Sequence, residues 1–386
     1  MSSSVSKASI GAYQLKESNQ RDSSLLEQIR LECRSLCEWE RETFPGSQPV
    51  SLTRKNLDSL TRIPYVVCEK SDGERHMLLI FRREVFIIDR MFNVYRVSMS
   101  FPDMEHTTLL DGELIIDSKS QQPDSRAVRY LVYDAIQVKG RSVAKETLLH
   151  RLKAAYLDLI WPRKARKEDS FAIYLKDFFD VCHSASFVFP LGCRLPHECD
   201  GLIFTPADDA YKAGTCLRLL KWKPAHLNTV DFVIELVMGF EPKQLHAKLL
   251  PAVAGVQLFT GIWLARHGEM WNWLVENRNK VNNKVVECGW DPDAYTFIPS
   301  SRSEFVESGE WVKEGGWVLH RVRDDRTTPN DESVVEKVKA SIADGISIEE
   351  LHSTLRNVRR LRIPEASRKR VNEDAFDSIS SKAIKK

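Results

Sequence analysis

The sequence predicts an α+β protein: a larger first domain on mostly antiparallel sheets, then a small β-barrel domain and a short helical end. Three observations carry this. At 386 residues the chain is longer than one typical domain, and 42% of it is apolar, enough for two cores. Short β-rich segments follow one another with gaps too brief for crossover helices. Apolar strand-like runs then resume after Asn228, and helical spacing returns only beyond Asn330.

Taken in order, residues 1–24 are Ser-rich and polar and read as a disordered leader. Leu25, Ile29 and Leu36 then recur at helical spacing and predict a helix at the start of the first domain, placed at 25–230. "MLLIF", "EVFIID", "VYRVSM", "GELIID" and "RYLVYDAI" are its strands, "AKETLLHRLKAAYLDLIW" a helix, and "DGLIFTP" and "LRLLKWKP" further strands. Over 231–326, "TVDFVIELVMGF", "GVQLFTGIWLA" and "GWVLHRVRD" suit a five-stranded barrel of the OB-fold kind. Val334, Val335, Val338 and Ile342 share a helical face, and Ser347 with Glu350 forms a capping box for a second helix. These helices, 327–362, are expected to pack back on the core, with 363–386 a basic flexible tail.

Composition excludes some classes. Fifty-six basic residues stand against 54 acidic ones, a formal charge of +2, so a polyanion partner must be met by local patches. The eight cysteines are dispersed with no paired C-x-x-C at zinc spacing, which fits reduced thiols and an intracellular compartment. The first residues lack the apolar stretch of a signal peptide, and no run is long enough to span a bilayer. Neither G-x-x-x-x-G-K-[ST] nor G-x-G-x-x-G occurs. "PRKARKED" reads as solvated surface that could also touch a polyanion.

Lys70 poses the chemical question. It ends the apolar run Ile63, Pro64, Tyr65, Val66, Val67, where burial disfavours its charge, and precedes Asp72-Gly73 and Arg75. It either snorkels its ammonium into water beside a hairpin turn or serves, desolvated among cations, as a nucleophile. Asp72-Gly73, Asp111-Gly112-Glu113 and Asp200-Gly201 read as turns at strand ends. In "LLKWKP", Lys221 and Lys223 alternate with apolar residues and are expected on one strand face, aimed at one anion. With the cluster "HRVRDDR", the chain offers a lysine, strand-end carboxylates and many cations. Phosphoryl or nucleotidyl transfer needs that set, because its chemistry is mostly positioning and neutralisation of phosphate charge.

The order of these segments resembles the covalent nucleotidyltransferase superfamily, which holds mRNA capping guanylyltransferases and ATP-dependent polynucleotide ligases. "KSDGER" matches its K-x-D-G-x-R motif, and "LLDGELI", "RYLVYDAI", "ECDGLIFTP" and "LLKWKP" resemble its later motifs. "RVRDDRTTPN" is similar to the R-x-D-K-x-x-P-N signature of the capping branch, and "TFPGSQPVSL" to the segment before the nucleophile in fungal-type capping enzymes. The resemblance implies a nucleotidyltransferase domain with an OB-fold lid and an mRNA guanylyltransferase activity. GMP would pass from GTP through a lysyl-N-GMP intermediate on Lys70 to the 5′-diphosphate end of RNA.

By the same resemblance, Asp72 belongs to the nucleotide site, Arg75, Glu113 and Arg90 hold the ribose, and Tyr133 stacks on guanine. Asp200 binds a divalent metal, Mg²⁺ or Mn²⁺; Lys221 and Lys223 neutralise phosphates; Arg323, Asp325 and Arg326 align with the phosphate-binding motif of the lid, whose cations grip the β and γ phosphates. Implied partners are GTP, RNA, a separate RNA triphosphatase and the phosphorylated tail of RNA polymerase II, with no membrane; the basic tail suggests a nucleus. Two positions depart from the family: Arg326 replaces a usual lysine, and Cys216 stands where an acid is common. Taken singly, Glu113, Tyr133 and Arg323 are also explained as a strand-end acid, a core aromatic and half of a surface ion pair, and His76 and His320 as packing or surface residues. The alternatives are a small ATP-dependent polynucleotide ligase and an inactive docking module on the transcription machinery.

Overall fold

A computed structural model describes residues 5–117, 128–192, 194–238, 245–299, 309–324 and 326–358. The chain divides into two compact units: residues 1–222 with 348–386, and 223–347. The tail expected at 363–386 lies outside the described residues.

In the first unit the strands are β1 (Tyr13–Gln14), β2 (Gln48–Ser51), β3 (Tyr65–Ser71), β4 (Glu74–Phe81), β5 (Glu84–Asp89), β6 (Val94–Val97), β7 (Thr108–Ile116), β8 (Val128–Val138), β9 (Arg141–Ser142), β10 (Ala172–Leu175), β11 (Phe179–Asp180), β12 (Cys199–Pro206) and β13 (Thr215–Trp222). One sheet runs β1-β6-β5-β4-β7-β8-β10, with β9 on β8, and a second runs β11-β3-β12-β13-β2. Both are mostly antiparallel; β10 on β8 and β2 on β13 are parallel.

Strand alternation gives the large sheet two apolar faces. Met77, Leu79, Phe86 and Ile88 pack on the helix α1 (Gln20–Leu36) through Leu26, Ile29 and Cys33. Leu78, Ile80, Val85 and Ile87 join the opposite core with Tyr130, Ala155 and Phe171. The expected helix after residue 144 begins at Leu148, because Thr147 caps it by accepting from the His150 amide, and it widens after Ala155.

The described part of the leader is not disordered. Val5, Ile10 and Leu15 are buried, β1 pairs with β6, and α1 starts at Gln20 behind an Asn19 cap. Composition missed this because three apolar residues in a polar stretch suffice to dock a segment onto an existing core. Asp111-Gly112 is likewise no turn: it lies inside β7, and Asp200-Gly201 lies inside β12. Their glycines serve packing or register rather than chain reversal.

The second unit holds β14 (Thr229–Met238), β15 (Leu245–Leu250), β16 (Ala252–Val253), β17 (Val256–Gln257), β18 (Val285–Asp291), β19 (Thr296–Pro299), β20 (Gly309–Val312) and β21 (Gly316–Val322). A sheet β15-β14-β18-β21 is closed by residues 263–264, which bridge Lys248 on one side and Trp317 on the other. The helix Gly268–Val281 follows that closing segment. Five strands in this order with a helix between the third and fourth make the expected OB-fold. The helix Glu332–Ala343 buries Val335 in the barrel core. It therefore belongs with the barrel, and only the helix Ile348–Leu355 packs on the first unit. There Leu351 and Leu355 are buried and Glu350 accepts from Arg54 at 2.7 Å.

Candidate active site

Lys70 sits at the end of β3, half-buried, and its Nζ donates to Asp200 Oδ1 at 2.6 Å. The register explains the meeting. Ser71 lies opposite Cys199 and Lys70 opposite Gly201, so Asp200 is the extra residue of a β-bulge. A bulge re-aims one side chain out of the pleat, and here that side chain reaches the lysine.

The same device places Tyr133. Asp111 pairs with Asp134 and Gly112 with Val132, which leaves Tyr133 as the additional residue on β8. Gly112 is obligatory, since a Cβ would lie 2.5 Å from the Leu131 carbonyl oxygen and 2.7 Å from the Tyr130 ring. Gly73 is packed as closely, with its Cβ position 2.6 Å from the Leu114 carbonyl oxygen. That contact fixes the passage from β3, in one sheet, to β4, in the other. Asp72 is exposed there and its amide donates to the Glu198 carbonyl at 2.9 Å.

Arg75 is buried opposite Glu113 on the neighbouring strand. Its guanidinium makes a bidentate pair with Asp111, Nε to Oδ1 at 3.0 Å and Nη2 to Oδ2 at 2.5 Å, and donates to the Ser47 carbonyl. It also lies over the rings of Phe44 and Tyr133, 5.4 and 5.6 Å from their centroids. Burial opposes this charge, but the Asp111 carboxylate outweighs it and raises the arginine pKa. Tyr211 closes the network by donating to Asp111 at 2.6 Å and accepting from the Ser47 amide at 3.0 Å. In this conformation Arg75 ties β4 to β7 through Asp111 and to the segment before β2 through the Ser47 carbonyl.

Glu113 accepts from the buried Lys176 at 2.7 Å; the same ammonium donates to Ser71 Oγ at 2.7 Å and lies 3.3 Å from Glu69. Burial works against the Lys176 charge, but Glu113 and Glu69 raise its pKa. Burial likewise opposes Glu69, and Lys176 and His197 hold it below the usual carboxylate range. Burial pushes the Cys199 thiol up to about 12. Sequence reasoning missed Lys176, Glu69, His197 and Tyr211; all belong to the wall of the site, and no short motif signals them.

The remaining expected residues lie on other elements. Arg90 is exposed in the turn after β5, one position beyond Asp89, which faces His76 across the strands. Lys221 lies on β13 opposite Ile203, whereas the strand ends at Trp222 and Lys223 falls just beyond it, so the alternation that put both on one strand face does not extend to Lys223. Cys216, also on β13, lies opposite Pro49. In the second unit, Arg323 lies 3.3 Å from Asp231, and Arg326 also pairs with that carboxylate. Asp325 lies outside the described residues. His76 is buried on β4 and His320 exposed, in keeping with packing and surface roles.

The models of the mRNA capping enzyme catalytic domain and C-terminal domain match residues 13–225 and 227–352. The chain belongs to the mRNA capping enzyme family. It is 30% identical over 384 residues to an mRNA-capping enzyme subunit alpha of Schizosaccharomyces pombe, covering 89% of this chain and 88% of that one. An mRNA-capping enzyme of Danio rerio is 33% identical over 324 residues, 79% of this chain, and the match spans 48% of the fish protein. Among solved structures, a mycobacterial DNA ligase D complexed with ATP and MES aligns with a TM-score of 0.38 and 15% identity, over 73% of this chain and 95% of that one. At that score the likeness carries no weight. As a capping-family catalytic domain, the first unit places the K-x-D-G-x-R lysine against a carboxylate with a walled cluster of charges around it.

Proposed function

We propose that the protein is an mRNA guanylyltransferase. The observation that carries the reading is the Lys70–Asp200 contact at 2.6 Å, made by a β-bulge in the strand "CDGLIFTP" of a capping-family catalytic domain. Asp200 and the sheet register hold the lysine at a defined place, which positioning-dominated chemistry requires. The Lys70 amine, having shed its ammonium proton to solvent, attacks the α-phosphorus of GTP. The N–P bond forms as the bond to the β-phosphate oxygen breaks, and pyrophosphate leaves. The 5′-diphosphate end of RNA then attacks the same phosphorus, the N–P bond breaks, and the GpppN cap is released.

In this reading Tyr133 offers a ring face to guanine beside Arg75, and Glu113, locked by Lys176, faces the ribose with Arg90. Asp72 lines the passage next to the nucleophile, Lys221 and Lys223 neutralise phosphate charge, and the cations of the motif that holds Arg323, Asp325 and Arg326 grip the leaving phosphates. A divalent cation of the Mg²⁺ or Mn²⁺ class fits Asp200, because such hard ions use one or two carboxylates together with substrate phosphates and water. When bound, it supplies neutralisation of phosphate charge.

The 5′-diphosphate end must come from an RNA triphosphatase acting first; the "subunit alpha" name of the S. pombe relative supports a separate chain for it. Nuclear localisation and docking on the phosphorylated polymerase tail complete the proposal. No helix among the described residues is long and apolar enough to cross a membrane.

The test is incubation with α-labelled GTP or ATP and Mg²⁺, then denaturing electrophoresis and acid treatment. An acid-labile label from GTP, lost in a folded Lys70→Ala variant, is expected. Label from ATP instead would make the chain a ligase, and no label from either would make it a docking module.

A further inference from the structure

Directly behind the Lys70–Asp200 pair lies a group of donors that the proposed reaction does not use. Glu69 precedes the lysine on β3, and Cys199 precedes the aspartate on β12; His197 approaches from the segment before β12. One donor atom from each of the three lies within 4.8 Å of the other two, and His197 Nε2 is 3.5 Å from Glu69 Oε1. Among the described residues this is the group of histidine, cysteine and carboxylate donors that close together. The backbone wraps it tightly: a Cβ at Gly192 would lie 3.4 Å from the Cβ atoms of both Glu69 and Cys199.

The donor types decide the ligand. A thiolate, an imidazole and a carboxylate are the nitrogen, sulfur and oxygen set of a borderline-soft ion such as Zn²⁺; Mg²⁺ prefers oxygen alone. We propose that Glu69, His197 and Cys199 form a zinc-class binding site, separate from the carboxylate Asp200 that the transfer reaction uses. Three protein ligands leave the fourth position of a tetrahedral ion to water. Coordination forms the metal–sulfur bond and passes the thiol proton to buffer. Lys176, 3.3 Å from Glu69, repels a dication there, so the site binds more weakly than a structural zinc site and exchanges its metal.

Occupancy has a consequence that rests on the guanylyltransferase reading. The ion ties β3 to β12 at the residues flanking Lys70 and Asp200. It also draws Glu69 away from Lys176, which holds Glu113. Zinc at this site therefore suppresses transfer.

The test titrates Co²⁺ into the metal-free full chain and follows the near-ultraviolet thiolate-to-cobalt charge-transfer band, with far-ultraviolet circular dichroism as the folding control. The wild type is expected to reach a plateau at one bound cobalt per chain, with added cobalt in excess, and to release the cobalt to Zn²⁺. Cys199→Ser loses the band, His197→Gln weakens binding at least about tenfold, and Cys216→Ser, a half-buried thiol elsewhere on the sheet, keeps it. No band in the wild type, or a band that survives Cys199→Ser, overturns the site. If Cys199→Ser fails to fold, unchanged cobalt affinity in His197→Gln overturns it equally. A band without nucleotide labelling refutes the activity and leaves the metal site standing; labelling without a band does the reverse.

Discussion

Asp111→Asn tests how the pocket wall is held. The Asp111 side chain is fully buried and that of Arg75 is 6% exposed, so solvent screens their attraction little. The substitution leaves a guanidinium inside the protein without its counter-charge, and breaking a buried pair in this way costs about 3–5 kcal/mol. The Tyr211 hydroxyl also exchanges a charged acceptor for a neutral one, adding about 1 kcal/mol. A domain holds about 5–15 kcal/mol in all, so the first unit becomes marginal. Urea unfolding followed by far-ultraviolet circular dichroism, with each unit giving its own transition, is the assay. The first unit's transition should move to clearly lower urea while the second stays in place. Replacing both partners, Arg75→Met with Asp111→Leu, should recover much of the loss because no charge is left stranded. A cost below about 1 kcal/mol for Asp111→Asn, or an equal shift of both transitions, would refute the reasoning.

Three further outcomes are expected. Gly73→Ala forces a methyl against the Leu114 carbonyl and should cost about 1–3 kcal/mol and lower nucleotide labelling, measured by urea unfolding and by the labelling assay. Burial lowers His76 from its ordinary 6.5 to about 4, so below pH 6.5 the unfolded chain takes a proton that the folded chain refuses. Its stabilising contribution is complete above pH 6.5 and is lost towards pH 4, about 3 kcal/mol at about 1.4 kcal/mol per pH unit; the stability difference between wild type and His76→Gln should shrink or invert over that range. Asp231→Asn removes the carboxylate that Arg323 and Arg326 share; because Arg323 keeps Glu287 at 3.6 Å and Arg326 is partly exposed, the cost is about 1–3 kcal/mol, confined to the transition of the second unit.

The candidate lysine and its acidic partner were legible because each sits in a short local pattern: Lys70 at a strand end before Asp-Gly, Asp200 before Gly201 and an apolar run. The barrel was legible from strand spacing, although its closing segment at residues 263–264 joins by isolated bridges that no periodicity marks. The supports were not legible. Lys176 reaches Ser71 across 105 positions, Tyr211 reaches Asp111 across 100, and the Ser47 amide reaches Tyr211 across 164. Such contacts are set by tertiary packing, and a buried lysine reads in sequence like a surface one. Asp-Gly turn chemistry misled at Asp111 because the glycine there is required by Tyr130, a residue of the adjacent strand.

The first unit is discontinuous: its chain leaves at Trp222 and contributes again only from Ile348, where the last described helix buries Leu351 and Leu355. During synthesis on the ribosome, the barrel is therefore the first part whose whole sequence forms one uninterrupted stretch, while the first unit waits for the helix Ile348–Leu355. A nascent chain stalled before residue 348 carries every residue around Lys70, yet leaves the seat of that helix bare and Arg54 without Glu350. Lys70 is thus translated early, and the unit that holds it is completed only once the helix Ile348–Leu355 has emerged, so a nascent chain carries the K-x-D-G-x-R segment well before its fold can close around it.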